Sequence, residues 1–171
     1  MTKHHIAAAA LAAGLMLAAA TGAAAAGGKP ASIDGVWKIT HVEITGANPL
    51  KVDHPMESLY LFTKGHYAVV QVTGETSRTA SPAFKDPAKP TDAEKLARYE
   101  EWTRFGAQAG TYEVKGAKLV RTPLVAKAVS AVTDGAFDTD LKLTGDTMVL
   151  TGHARAGQPA RDTAITLTRV K

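Results

Sequence analysis

The stretch IDGVWKITHVEI (residues 33–44) decides how this chain is read. Gly35 and Trp37, two apart, open a run rich in β-branched residues, the composition of a strand. Alternation puts Trp37, Ile39, His41 and Glu43 on one face, and Val36, Lys38, Thr40, Val42 and Ile44 on the other. Neither face is cleanly polar, so the strand is expected to be covered on both sides over part of its length. A glycine followed by a tryptophan can be an ordinary strand start, or it can close the floor of a barrel.

Upstream lies an alanine-rich leader. Lys3, His4 and His5 form a basic n-region, an apolar run covers residues 6–20, and Ala24-Ala25-Ala26 fits the small-x-small cleavage rule. The run is short for a bilayer span, which needs about 20 residues. We expect a cleaved secretory signal over residues 1–26, a flexible lead-in over 27–34 and one domain over 35–171, in the periplasm or outside the cell. The alternative is an uncleaved anchor helix. No membrane-spanning segment is expected in the mature chain.

Downstream, short strand patterns alternate with turns. Residues 45–55, TGANPLKVDHP, carry two prolines, a glycine and Asn48 and read as a loop. SLYLFTKGHYAVVQV (residues 58–72) is the clearest hairpin, with Lys64-Gly65 at its turn. Residues 75–90 are polar with three prolines and read as a flap. Thr91-Asp92-Ala93-Glu94 matches a capping box, so a helix is expected from Thr91 to about Gln108. Two further hairpins turn at Lys115-Gly116 and at Thr144-Gly145-Asp146, and a final strand runs over residues 163–170. In the second of these hairpins, Phe137, Thr139, Leu141 and Leu143 alternate with Asp138, Asp140 and Lys142, the mark of a strand wet on one face.

The expected fold is therefore all-β: an antiparallel up-and-down barrel of about eight strands, with one helix inserted between strands 3 and 4. Hairpin connections impose antiparallel pairing. In such a barrel the first and last strands must pair, because any unpaired edge would stay open.

Composition excludes several functions. The 171 residues include no cysteine, so neither a disulfide nor a lipid-modified cysteine anchor can form. Lys3 is the only charged residue of the leader apart from its histidines, so removing it lowers the net charge from +4 to about +3. Those charges are scattered, with no basic stripe and no interleaved aromatics, and no nucleic-acid partner is expected.

Four stretches resemble the bacterial lipocalin-like domain family. Gly35-Val36-Trp37 is similar to the Gly-x-Trp that opens a lipocalin's first strand. Residues 58–72 and GTYEVKGAKLV (residues 110–120) are similar to its hairpins, and LTRVK (residues 167–171) places Arg169 where lipocalins carry a late arginine. The resemblance implies that Gly35, Trp37 and Arg169 close one end of the barrel, with the guanidinium lying across the indole. The alternative is that Trp37 is a plain core aromatic and Arg169 a solvated terminal residue. The sequence departs from the family pattern in the long proline-rich segment with its helix, and in the aliphatic stretch RTPLVAKAVSAVTDG (residues 121–135).

No catalytic constellation is present. There is no Gly-x-Ser-x-Gly elbow, P-loop or dinucleotide fingerprint. Of the four histidines past the leader, His41, His54, His66 and His153, only His41 and His66 suggest a two-strand metal site, and separate surface histidines explain them better. Asp138 and Asp140 share their face with Lys142 and read as solvated. No metal or other cofactor is expected.

What remains is the interior of an eight-stranded barrel, wide enough for one small ligand. Expected lining residues are Ile39, His41, Tyr60, Phe62, Tyr67, Tyr112, Arg121, Phe137 and Leu141. Leu59 and Leu61 are alternatives to Tyr60 and Phe62, since the phase of that strand is open. Arg121 and His41 would be polar anchors, Arg121 being suited to a carboxylate. The expected function is binding of a small apolar or amphipathic molecule. The alternatives are an isomerase- or cyclase-type barrel enzyme using His41, Glu43, Tyr67 or Tyr112, or a solid barrel acting through its surface. The residues do not reveal the oligomeric state.

Overall fold

The computed structural model describes residues 32–171; the expected signal segment and most of the lead-in lie outside them. In chain order the elements are β1 (Gly35–Gly46), β2 (Leu50–Val52), β3 (Leu59–Thr63), β4 (His66–Val72), α1 (Asp92–Thr103), β5 (Phe105–Lys115), β6 (Lys118–Ala126), α2 (Val129–Thr133), β7 (Phe137–Thr144), β8 (Thr147–His153) and β9 (Arg161–Arg169). Eight of the strands, β1 and β3 to β9, follow one another around a closed antiparallel barrel, with β1 paired to β3 on one side and to β9 on the other. Closure satisfies the backbone groups that an open sheet would leave at its edges.

Trp37, Arg169 and Gly35 meet at one end. The indole is fully buried, and its N–H donates to Ile33 O at 2.8 Å. The Arg169 guanidinium lies 4.1 Å from the ring centroid and donates to the carbonyls of Ser32 and Asp34. Residues 32–34 are thereby pinned rather than part of a flexible lead-in. Gly35 has φ +132°, and a Cβ there would lie 2.7 Å from Arg169 Nη1. Glycine is needed at this position both for its backbone angle and for the approach of the arginine.

Three expectations are corrected. The helix lies between the fourth and fifth strands, because residues 50–52 of the expected loop form β2 against Val42–Ile44 of β1. That helix begins at its predicted capping box, where Glu94 N–H donates to Thr91 Oγ1 and Thr91 N–H to Glu94 Oε2. It ends at Thr103 and not near Gln108. Residues 105–108 extend β5 instead, laddered to Val72, Gln71, Val70 and Val69 of β4. Strand pairing there outweighs helical propensity.

Residues 75–90, expected as a flap, are held against α1. Glu101 accepts from the backbone and hydroxyl of Ser81, Lys85 N–H donates to Glu94, and Arg78 stacks over Trp102 and Phe105.

The third correction concerns β1. Its register against β9 slips between Ile39 and His41, so Thr40 is an extra, bulged residue. A bulge reverses the phase of every residue beyond it. Trp37 and Ile39 face in, and past the bulge it is Val42 and Ile44 that do so. His41 instead pairs with Asp53 at 3.1 Å, and Glu43 is exposed.

Candidate functional site

The lower half of the barrel is solid. Trp37, Phe62, Leu119, Met148 and Leu167 are all essentially fully buried there. Phe62 and Tyr112 pack edge to face at 5.1 Å, and Tyr112 OH donates to Asp34 at 2.7 Å. That bond and burial push the Tyr112 pKa up to about 12, burial being the larger cause. Phe62 and Tyr112, both expected to line a ligand site, therefore belong to the closed end. Leu141, also expected to line a ligand site, packs against the buried core, paired with Leu150.

The upper half differs because the barrel wall splits. β6 pairs with β7 over only four positions, from Lys118–Asp140 to Arg121–Phe137. Past that last rung β6 has no β7 neighbour, and the chain crosses the gap through α2. The other edge of β6 is bulged as well. Gly110 faces Pro123, with Leu124 as the extra residue, and a Cβ on Gly110 would lie 2.0 Å from Thr122 O. Proline is at home beside a bulge, where no ladder donor is required of it.

Arg121 sits at the edge of this split. Leu119, Arg121 and Pro123 alternate inward, so the backbone carries a guanidinium into the barrel, and Arg121 is only 5% exposed. Three aromatic rings surround it: Phe137 at 4.6 Å, and Tyr60 and Tyr67 each at 5.8 Å from the guanidinium carbon. Ring faces attract a cation but accept no conventional hydrogen bond. Among the described residues, the buried side-chain atoms without any partner are Arg121 Nε, Arg121 Nη1, Tyr67 OH and Thr139 Oγ1. Burial also raises the Tyr67 pKa above the ordinary phenol value, while the Arg121 charge opposes that rise.

A cleft of about 640 Å³ opens beside Arg121, lined by Phe137, Thr139, His153, Arg155 and Ile165 among others. The charged groups around it are already matched. Arg155 bonds Asp134 at 2.5 Å, His153 sits between Asp140 and Asp162, and Lys118 bridges Asp138 and Asp140. A smaller, more apolar cavity of about 240 Å³, lined by Ile39, Val42, Ile44 and Val72, shares Thr163 and Ile165 with the cleft.

Of the residues expected to line a site, the structure gathers Tyr60, Tyr67, Arg121 and Phe137 around one cation and sets Ile39 in the neighbouring cavity. It moves His41 to the other face of β1. Thr139, Val42 and Ile165 were not foreseen as lining. Thr139 and Ile165 carried a signal in their strand alternation, whereas Val42 was hidden by the bulge. His41 and His66 stand apart, the second bonded to Lys64 O beside the β3–β4 turn. Among the described residues no group of three His, Cys, Asp or Glu is placed to hold a metal, and no helix is long and apolar enough to cross a membrane.

No family model and no curated protein matches the chain. Among solved structures it is similar to a lipocalin-like protein from Bacteroides uniformis ATCC 8492, at 16% identity and TM-score 0.43, covering 80% of this chain and 97% of that one. It is also similar to an uncharacterized protein from Bacteroides eggerthii DSM 20697, at 13% identity and TM-score 0.43, covering 81% and 100%. At these scores the likenesses carry no weight for the site.

Proposed function

We propose that this chain is an exported, lipocalin-like barrel that binds a small apolar or amphipathic molecule. One observation carries the reading: the wall splits above the Arg121–Phe137 rung, and a cleft there reaches the Phe137 ring and a buried cation. A barrel that served only as a surface would be expected to fill this volume, since an unfilled interior forfeits packing. Binding sites, in contrast, are mostly apolar concavities with a few polar anchors. Export is supported by the basic, apolar and small-residue pattern of residues 1–26.

The test is titration of the purified protein with N-phenyl-1-naphthylamine, a neutral apolar fluorophore, beside native mass spectrometry of protein isolated from its own host. We expect a saturable rise in fluorescence, a co-purifying small molecule and a chain that begins at Gly27. The binding reading is overturned if the dye signal does not saturate and no molecule accompanies the protein. A chain that retains residues 1–26 would overturn cleavage of the leader.

A further inference from the structure

The unpartnered groups of the upper barrel narrow the chemistry of its ligand. We infer that the ligand is an amphipathic monocarboxylic acid whose carboxylate is held by Arg121; the inference rests on the binding reading above.

A guanidinium keeps its charge under any condition a folded protein meets, so Arg121 cannot relieve its burial by losing a proton. The three rings supply part of the lost solvation, but Nε and Nη1 remain without an acceptor. Removing polar groups from water without replacing their hydrogen bonds is costly. A methionine or leucine would fill the same wall without that cost. An acceptor supplied by a ligand accounts for an arginine here.

Three features define the acceptor. It must be anionic, because a planar guanidinium pairs best with an oxyanion. It should carry a single charge, because of the cations that line the cleft Arg155 and His153 are already engaged by carboxylates, while Arg121 has no such partner. A dianionic phosphate would bring a second charge that no further unpaired cation among the residues lining the cleft could balance. The remaining unpartnered groups, Tyr67 OH and Thr139 Oγ1, are hydroxyls, and a carboxylate has lone pairs to spare for such donors. The Tyr67 phenol is protonated at neutral pH, as a donor must be, and burial only raises its pKa further. The rest of the ligand meets Phe137 and Ile165 in the cleft, so its body is apolar.

The experiment compares decanoate, decanol and decyl phosphate by displacement of N-phenyl-1-naphthylamine, and adds 1-naphthylacetate to separate an aliphatic body from an aromatic one. Wild-type protein should bind decanoate or 1-naphthylacetate on the order of ten-fold or more tighter than decanol, the size of effect expected of a charge-assisted hydrogen bond. Arg121→Met should abolish that preference, so that acid and alcohol bind alike. In wild-type protein the Arg121 Nε–H resonance should shift with the acid and not with decanol, which tests the contact even if the variant fails to fold. Equal affinity for acid and alcohol would overturn the carboxylate inference and leave the binding reading standing. Tighter binding of decyl phosphate than of either acid would overturn the single charge. If the dye binds and none of the four compounds displaces it, this ligand class is wrong. If the dye does not bind at all, the binding reading falls first.

Discussion

Arg121 places a permanent charge among Phe137, Tyr60 and Tyr67 while two of its nitrogens go unbonded. Each cation–π contact offsets about 0.5–2 kcal/mol. Leaving a buried polar group unpaired costs about 1–3 kcal/mol, and more for a charged one. Summed over three rings and two nitrogens those ranges overlap, and the full charge decides: burying an ion without an opposite partner costs more than the neutral range, so without ligand Arg121 is a net burden on the fold. Arg121→Met, which keeps volume and loses charge, should stabilise the ligand-free protein by about 1–3 kcal/mol. For a domain of this size that corresponds to a rise in Tm of about 3–10 °C. A melting curve checks it, and a lower Tm for the variant would show that the rings and backbone compensate the charge fully. The residue was legible in sequence as an anchor because arginine at an inward strand position is a conflict that packing alone does not explain. Its surroundings were only partly legible. Tyr60 and Tyr67 were named beside Phe62 and Tyr112, yet the latter two lie at the closed end. Strand alternation tells which face a side chain takes, not the height it occupies along the barrel.

At the scale of elements, β7, β8 and β9 are clamped on their outer side by one histidine. His153 Nδ1 meets Asp162 at 2.8 Å and Nε2 meets Asp140 at 2.9 Å, while Lys118 from β6 also bonds Asp140 at 2.6 Å. Both ring nitrogens can donate only when the imidazole is protonated. The hydrogen bond to Asp140, then that to Asp162, raises the His153 pKa above its ordinary 6.5. A raised folded-state value means the stabilisation is fully present below 6.5 and is lost as pH rises through the folded value. The Tm difference between wild-type protein and His153→Gln should therefore be largest near pH 6 and shrink towards pH 9. A difference that stayed constant over that range would mean the bridge contributes through shape alone. The strands carrying these residues were readable, since Phe137 to Leu143 alternate without a break. The slip at Thr40 was not, because no side chain there announces a bulge, and the slip alone moved His41 and Glu43 off the inner face. The end of α1 was hidden for a related reason. Residues 105–108 continue a helical pattern, and only their ladder with β4 makes them strand.

For the whole molecule, closure joins the two ends of the described chain. Trp37 pairs with Arg169 in the β1–β9 ladder, and the guanidinium both stacks on the indole at 4.1 Å and binds the carbonyls of residues 32 and 34. The necessity of that pairing could be read early, because an up-and-down barrel has no other way to dispose of its edges. The split between β6 and β7 could not, since it depends on how α2 spans the gap. The two regions are separate, the closed end packed solid and the cleft above it, and this separation predicts how variants should sort. Trp37→Leu should cost several kcal/mol of stability, as large-to-small changes in a filled core do, while leaving affinity for the neutral dye within about two-fold of wild type. Arg169→Met should destabilise less, because its carbonyl contacts are at the surface. If the two side chains act as one latch, the double variant will lose less than the sum of the singles, with a coupling of about 0.5–2 kcal/mol in a denaturation cycle. Strictly additive losses would mean that the stacking contributes nothing and that strand pairing alone closes the barrel. Loss of dye binding by Trp37→Leu at full stability would instead place the ligand against the indole and refute the division between a solid floor and an open upper half.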